Sequence, residues 1–270
     1  MIYTVTLNPA LDKTVQIPSF RLGEVNRISA MRTDPGGKGI NVSKVLRELG
    51  EPSVAAAILG GAAGQKIESA LRALGIEGMY LFTGHETRTN LKIVDPTLHT
   101  NTDVNEPGAP ADEAVLSKLL SQLTGRLRPG DLVVLSGKAP AGAPDTLYRD
   151  WILACRAAGA AVYLDAEGEL LRQGVTAGPA LIKPNQAELS GVMGRPLTTE
   201  DETIRAAQEL LDAEPERLED RVILLWGRDW HPGVIGIVAS RLVEKTGRPV
   251  IVVSVDERGE GKGSGRSVQG

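Results

Sequence analysis

Cysteine is almost missing: Cys155 is the one thiol among 270 residues, so no disulfide closes within the chain and no thiolate cluster can hold a metal. Histidine is scarce too, with three in the chain. With only His85 and His99 elsewhere, His231 reads as a loop or helix-start residue rather than a ligand. Aromatic residues make up 3%, so the core must be built mostly from Leu, Val, Ile and Ala. No apolar run approaches the roughly 18 residues of a membrane span. The first residues, Met1 to Leu7, alternate like a strand rather than a signal peptide. A formal net charge of -4 gives no whole-chain attraction to nucleic acid or anionic membrane. Together these absences predict a cytoplasmic protein with no membrane partner. Hydrophobic residues at 41% and charged residues at 24% are ordinary for a folded chain of this length, which suits one large α/β domain plus a small appendage.

The most informative stretch present runs from Asp34 to Gly50, a glycine-rich loop feeding an amphipathic helix. Gly36, Gly37 and Gly39 lack Cβ atoms and are expected to bend through φ > 0, bringing backbone N–H groups close to a ligand. Val42, Val45, Leu46 and Leu49 recur at helical spacing and are expected to bury one face of the helix. Its positive N-terminal end then points into the loop, with Lys38 at the mouth. Taken alone, such a glycine cluster is better explained by a tight turn before a helix.

The remainder alternates strand and helix. Buried strands are predicted over 54–59, 131–135, 162–165 and 180–184, and helices over 65–74, 113–123 (opened by Asp112), 146–158 and 200–211. Gly60 to Gly64 reads as a tight turn and Thr100 to Pro110 as a loop. Two β excursions, about 13–33 and 79–105, interrupt the alternation; the first includes short strands at 14–17 and 24–27. This order predicts an α/β fold whose parallel sheet is covered on both faces. Asp12 lies just beyond the first strand, at the sheet edge where ligands sit in open α/β folds.

Five motifs then fall into the order of a known family: Thr6 to Asp12, Gly36 to Asn41, Thr87 to Asn90, Ser136-Gly137, and Lys183 to Glu188. On these residues about 1–210 resembles the PfkB-type carbohydrate kinases, closest to the 1-phosphofructokinase and tagatose-6-phosphate kinase branch. The resemblance implies a ribokinase-like three-layer parallel sheet with a small β lid, cytoplasmic carbohydrate metabolism, a phosphorylated sugar as substrate, ATP with Mg²⁺, and a homodimer paired through the lid. It implies that Asp12, Gly37, Lys38 and Asn41 hold sugar hydroxyls and Arg88 reaches the substrate phosphate. It further implies that Lys183, Asn185 and Glu188 face the nucleotide, with Glu188 serving Mg²⁺. An arginine fork suits a phosphate, and an amide and a carboxylate three residues apart share one helical face. Lys138, also placed in the substrate site, stands where the family carries the second serine of Ser-Gly-Ser, so an ammonium replaces a hydroxyl at the local phosphate contact.

Beyond residue 211 the family's Gly-Ala-Gly-Asp segment, which supplies an anion hole and the catalytic base, does not occur. Residues from about 216 to 270, with Trp230-His-Pro-Gly-Val-Ile-Gly236 and Gly263-Ser-Gly-Arg-Ser267, are instead similar to the DHH-associated domain of RecJ exonucleases. That resemblance implies a βαβ unit, strand 222–226, helix 233–245 and strand 250–255, docked on the kinase sheet. The junction is expected between about 204 and 219, in a chimera made by engineering or gene fusion with weak or no kinase activity. Gly263, Ser264, Gly265 and Arg266 are a candidate anion loop, with a flexible tail as the simpler reading. Nucleic acid is an unlikely partner on charge grounds, although a RecJ-like nucleic-acid-binding fragment without nuclease activity is the alternative function.

Overall fold

The structure is a computed structural model that describes residues 1–110 and 112–199, scattered positions from 202 to 243, and the backbone of 223–228, 250–255 and 261–266. The expected helices at 200–211 and 233–245, the junction, Trp230 and His231 lie wholly or largely outside the described residues. The chain divides into two compact units, Met1–Pro144 with Ala157–Ala160, and Asp145–Arg156 with Ala161–Gly270.

The first unit is built on parallel strands β1 (Ile2–Thr6), β4 (Ser53–Gly60), β5 (Glu77–Thr83) and β8 (Leu132–Ser136), in the order β8-β1-β4-β5. Seven of the eight β4 side chains are buried, as a strand covered on both faces requires. Ala55, Ala57 and Leu59 pack with Ile40 of helix α1 (Lys38–Glu48) and Ile67 and Leu71 of helix α2 (Gly61–Ala73). Helix α3 (Glu113–Arg126) packs on β4 and β5; Asp112 caps it, accepting from the N–H groups of Ala114 (2.9 Å) and Val115 (3.2 Å).

The inward face of α1 corrects the sequence reading. Val45 is 53% and Leu49 72% exposed, whereas Gly39, Ile40 and Ser43 are buried. A serine can face the sheet because its hydroxyl is satisfied there: Ser43 Oγ lies 2.7 Å from Thr4 Oγ1 and accepts from Ser53 Oγ at 2.9 Å. Hydroxyls on β1, α1 and β4 thus replace apolar contacts. The segment expected as a turn, 60–64, is mostly the first turn of α2, which starts at Gly61.

A second sheet forms the lid, β3-β2-β6-β7, from β2 (Ala10–Gln16), β3 (Ala30–Gly36), β6 (Thr89–Asp95) and β7 (Thr100–Asn105). Its bounds differ from the expected 13–33 and 79–105: β5 belongs to the parallel sheet, residues 24–27 are not a strand, and the predicted loop at 100–110 begins with β7. All six β7 side chains are exposed, so an edge strand there carries no alternating apolar signal. Val15, Ile17 and Ile93 form the lid's small core.

Buried Asp95 ties the lid's long hairpin together. It accepts N–H bonds from Ser19 (3.0 Å), Phe20 (2.6 Å), Thr97 (2.8 Å) and Leu98 (3.1 Å). Burial alone would raise its pKa, but these donors outweigh burial and hold the carboxyl below its ordinary value. Because the folded pKa is depressed, the stabilisation is present above the unfolded value of about 4 and is lost as pH falls through the folded one. We expect Asp95→Ala, which strands four donors, to speed amide exchange and proteolysis in 17–30 while leaving β1, β4 and β8 protected. Unchanged exchange in the hairpin would count against the clamp.

The second unit contains α4 (Leu147–Ala157, of which 147–156 belong here), β9 (Ala161–Asp165), α5 (Gly168–Val175), β10 (Leu181–Ile182) and α6 (Gln186–Met193). Strands β9 and β10 pair in parallel. Burial pushes the Cys155 thiol up to about 12, so this single cysteine is an inert core residue. Further on, β11 (Ile223–Arg228) and β12 (Val250–Val255) pair in parallel, as a βαβ unit requires.

Two expectations for this region need correction. β13 (Gly261–Arg266) pairs antiparallel with β12, from Val250 opposite Arg266 to Val255 opposite Gly261. Gly263, Ser264, Gly265 and Arg266 are therefore strand, neither a loop nor a free tail. Successive strand N–H groups point to opposite edges and cannot converge on one anion as a nest does. The three strands also form a sheet of their own, β11-β12-β13, rather than extending the parallel sheet. β12 already has a partner along each edge.

Candidate active site

The first unit gathers the predicted sugar-site residues where β1 meets the lid. Backbone between β1 and β2 carries Asn8 and Pro9, β2 carries Asp12, and α1 begins just after the glycines. Only Gly37 has a positive φ, 123°, which corrects the expectation for all three glycines. A Cβ there would stand 2.5 Å from Thr6 Cγ2. Gly36 and Gly39 are needed for close approach instead: a Cβ at Gly36 would overlap the Asp12 carboxylate, and one at Gly39 would lie 2.6 Å from the Val5 carbonyl oxygen. Thr6 fixes the start of α1, its Oγ1 accepting the Ile40 N–H at 3.0 Å, while the Asn41 N–H bonds the Gly37 carbonyl at 2.9 Å.

Asp12 and Asn41 line an open depression of about 490 Å³ on the lid face, together with Asn90, Lys44, Lys92 and Asp103. Asn90 Nδ2 donates to Asp12 Oδ1 at 3.0 Å. Lys38 runs beside the turn after β8: a Cβ at Gly137 (φ 93°) would be 3.7 Å from Lys38 Cβ. Exposed Lys138 follows in the same turn, so two ammonium side chains belong to this edge of the sheet.

Arg88 is clamped by backbone. Its Nη1 donates to the Glu106 carbonyl (2.9 Å), Nη2 to the Asn8 carbonyl (3.1 Å) and Nε, more weakly, to the Pro9 carbonyl (3.4 Å). A guanidinium has five N–H donors, so among the described residues one on each terminal nitrogen stays uncommitted. Burial lowers the Arg88 pKa, while Asp12 and Glu106 pull it upward. It stays a cation at any physiological pH. Sequence reasoning gives no role to Thr6, Asn90 or Glu106. For Thr6 and Asn90 a signal exists, since one opens the Thr6 to Asp12 motif and the other closes the Thr87 to Asn90 motif.

The nucleotide-side residues belong to the second unit. Asn185 and Glu188 form a reciprocal cap on α6: Asn185 Oδ1 accepts the Glu188 N–H at 2.8 Å, and Glu188 Oε2 accepts the Asn185 N–H at 2.9 Å. The cap uses Oε2 and leaves Glu188 Oε1 outside it. Lys183 Nζ pairs with Asp165 Oδ1 at 3.2 Å. Among the described residues no three His, Cys, Asp or Glu side chains converge as a metal group. One carboxylate oxygen nevertheless fits Mg²⁺, which commonly takes one or two protein carboxylates and completes its shell with water and phosphate.

The parallel α/β sheet with its β lid is the ribokinase-like fold, as the likeness to solved structures shows. The chain belongs to the pfkB family of carbohydrate kinases, whose model matches residues 5–218; a DHHA1 domain model matches residues 219–270. A 1-phosphofructokinase from Xanthomonas campestris is 38% identical over 212 residues, covering 77% of this chain and 67% of that protein. The Escherichia coli phosphofructokinase-2 structure in complex with fructose-6-phosphate matches with a TM-score of 0.78 and 26% identity, over 99% of this chain and 78% of that one. An Arabidopsis thaliana ribokinase complexed with ribose and ATP matches at 18% identity with a TM-score of 0.59, over 98% of this chain and 77% of that one, and shares the fold alone. The chain thus spans about two thirds of the length of the 1-phosphofructokinase it matches. The two family matches meet between residues 218 and 219.

Proposed function

We propose that the chain binds a phosphorylated ketohexose of the fructose 1-phosphate kind and phosphorylates it weakly or not at all. The observation that carries this reading is the clamped Arg88, with two uncommitted N–H donors, within electrostatic reach of Asp12. Arg88 takes the phosphate; Asp12, Asn41 and the backbone at Gly37 take sugar hydroxyls; Lys38 and Lys138 add positive charge. On the nucleotide side, Lys183 and Asn185 hold ATP and Glu188 Oε1 serves Mg²⁺, which neutralises phosphate charge when bound. The absence of Gly-Ala-Gly-Asp from these 270 residues supports a recombined chain without its own base. The exposed lid side chains Leu22 (94%), Val25 (82%) and Met31 (58%) support a homodimer through the lid. Among the described residues no helix is long and apolar enough to cross a membrane, consistent with a cytoplasmic site of action.

The second reading, a nucleic-acid-binding fragment, is favoured by the DHHA1 match. It predicts a different ligand, so one titration series separates the two. We expect calorimetry to give saturable binding of fructose 1-phosphate, with free fructose at least about 10²-fold weaker, since a charged hydrogen-bonded pair is lost. Single-stranded DNA should bind weakly and go uncut at physiological salt. Submicromolar DNA binding with no response to any sugar phosphate would reverse the assignment.

A further inference from the structure

We infer that Asn90 is the positioning residue for Asp12: its amide N–H fixes the rotamer in which that carboxylate meets a sugar hydroxyl. The inference rests on the sugar-phosphate reading and adds a residue to it. Asp12 and Asn90 are paired positions of the parallel strands β2 and β6, so their side chains leave the same face of the lid. A carboxylate oxygen only accepts, which forces Asn90 to turn Nδ2 toward Asp12 Oδ1, 3.0 Å away. The amide oxygen must then point elsewhere, and it is buried without a hydrogen-bond partner among the described residues. A buried unpaired acceptor opposes folding, so stability alone gives no reason for an amide at this position. On the other side the space for a Gly36 Cβ is filled by the Asp12 carboxylate. One oxygen is tethered by an amide, and the group as a whole abuts bare backbone. The lid therefore holds this side chain in one orientation before any ligand arrives.

The test measures fructose 1-phosphate affinity for the full chain, its Asn90→Ala and Asn90→Asp variants, and the unmodified protein as reference. Losing a hydrogen bond to a charged group should weaken Asn90→Ala by about 10- to 100-fold. Asn90→Asp sets two carboxylates side by side. At pH 8 both are ionised, the tether is gone, and affinity should fall at least as far. As pH drops toward 5, such a pair comes to share one proton, restoring an O–H donor to Asp12. The affinity of Asn90→Asp relative to the unmodified protein should then recover by tenfold or more, while that of Asn90→Ala stays flat. Taking the ratio at each pH cancels the ligand phosphate's own ionisation near pH 6. The other charged groups around the pair are Lys13 on β2, Asp34 and Arg32 on β3, Arg88 at the foot of β6, Lys92, Asp103 and Lys44. All seven are common to every variant and cancel likewise. If melting curves show Asn90→Asp unfolded, Asn90→Ser, too short to reach Asp12, should show the loss of Asn90→Ala. Variants that bind like the unmodified protein would overturn the positioning role and leave the sugar-phosphate reading standing. An unmodified protein that binds no sugar phosphate would overturn both.

Discussion

Turnover of fructose 1-phosphate with MgATP is expected to run at least about 10³-fold below that of an intact relative. Phosphoryl transfer needs little covalent help from a protein; it depends on positioning and on charge stabilisation at the transferred group. A segment with the family's Gly-Ala-Gly-Asp pattern would supply both an anion hole and a base, and from residue 219 the chain matches a DHHA1 domain instead. Loss of a general base costs about 10² to 10⁴ in rate, and loss of an oxyanion-type donor about 10² to 10³. These losses are not additive, so the expected total, about 10³, is set below the roughly 10⁴ that the two lower limits would multiply to. Asp220, Asp229 and Asp256 are the aspartates of the stretch that matches the DHHA1 domain, and none stands in a Gly-Ala-Gly-Asp pattern. A coupled assay that returned several turnovers per second would show that another group has taken the base's place.

How much of this was legible beforehand depended on how strongly local sequence was constrained by its surroundings. Strands β4, β8 and β9 are apolar runs because helices or a second layer cover both faces, so their position could be read within a residue or two. The inward face of α1 could not. Its periodicity favours Val45 and Leu49, yet Ser43 faces inward because Thr4 and Ser53, on two neighbouring strands, satisfy its hydroxyl. β7 and β13 were missed for the opposite reason. Thr100 to Asn105 is polar throughout, and Gly261 to Arg266 is half glycine; each becomes a strand through its neighbour's backbone, not its own propensity.

The candidate site divides along the same line. Motif residues such as Asp12, Gly37 and Arg88 are visible because their side chains, or their lack of one, have a chemical purpose that spacing reveals. The groups that hold them are mostly main chain. Any residue could supply the carbonyls of Asn8, Pro9 and Glu106, so no sequence pattern announces them. The cap between Asn185 and Glu188 is the converse case: an Asn followed three residues later by Glu is a readable helix start, and the structure makes both of its bonds. Thus the pair read as facing a nucleotide also has a purely structural function, and only one Glu188 oxygen is outside it.

Arg88 carries the other large expected effect. Replacing it by Ala removes the forked donor pair and the charge, and fructose 1-phosphate binding should weaken by about 10²-fold or more. It also strands three carbonyls that fasten the β1–β2 connection and the segment after β7 to the foot of β6, so the melting temperature should fall as well. Arg88→Lys separates these contributions. Lysine restores the cation as a point charge but cannot serve three carbonyls and a phosphate at once, because it has three donors on one nitrogen instead of five on a plane. If the phosphate contact is made by the fork, Arg88→Lys should recover little of the affinity, even where added salt shows that charge attraction persists. If charge alone matters, Arg88→Lys should bind within about threefold of the unmodified protein, and the clamp would then be a structural tie with no part in recognition. Calorimetry at two salt concentrations, with thermal melts of both variants alongside, distinguishes these results.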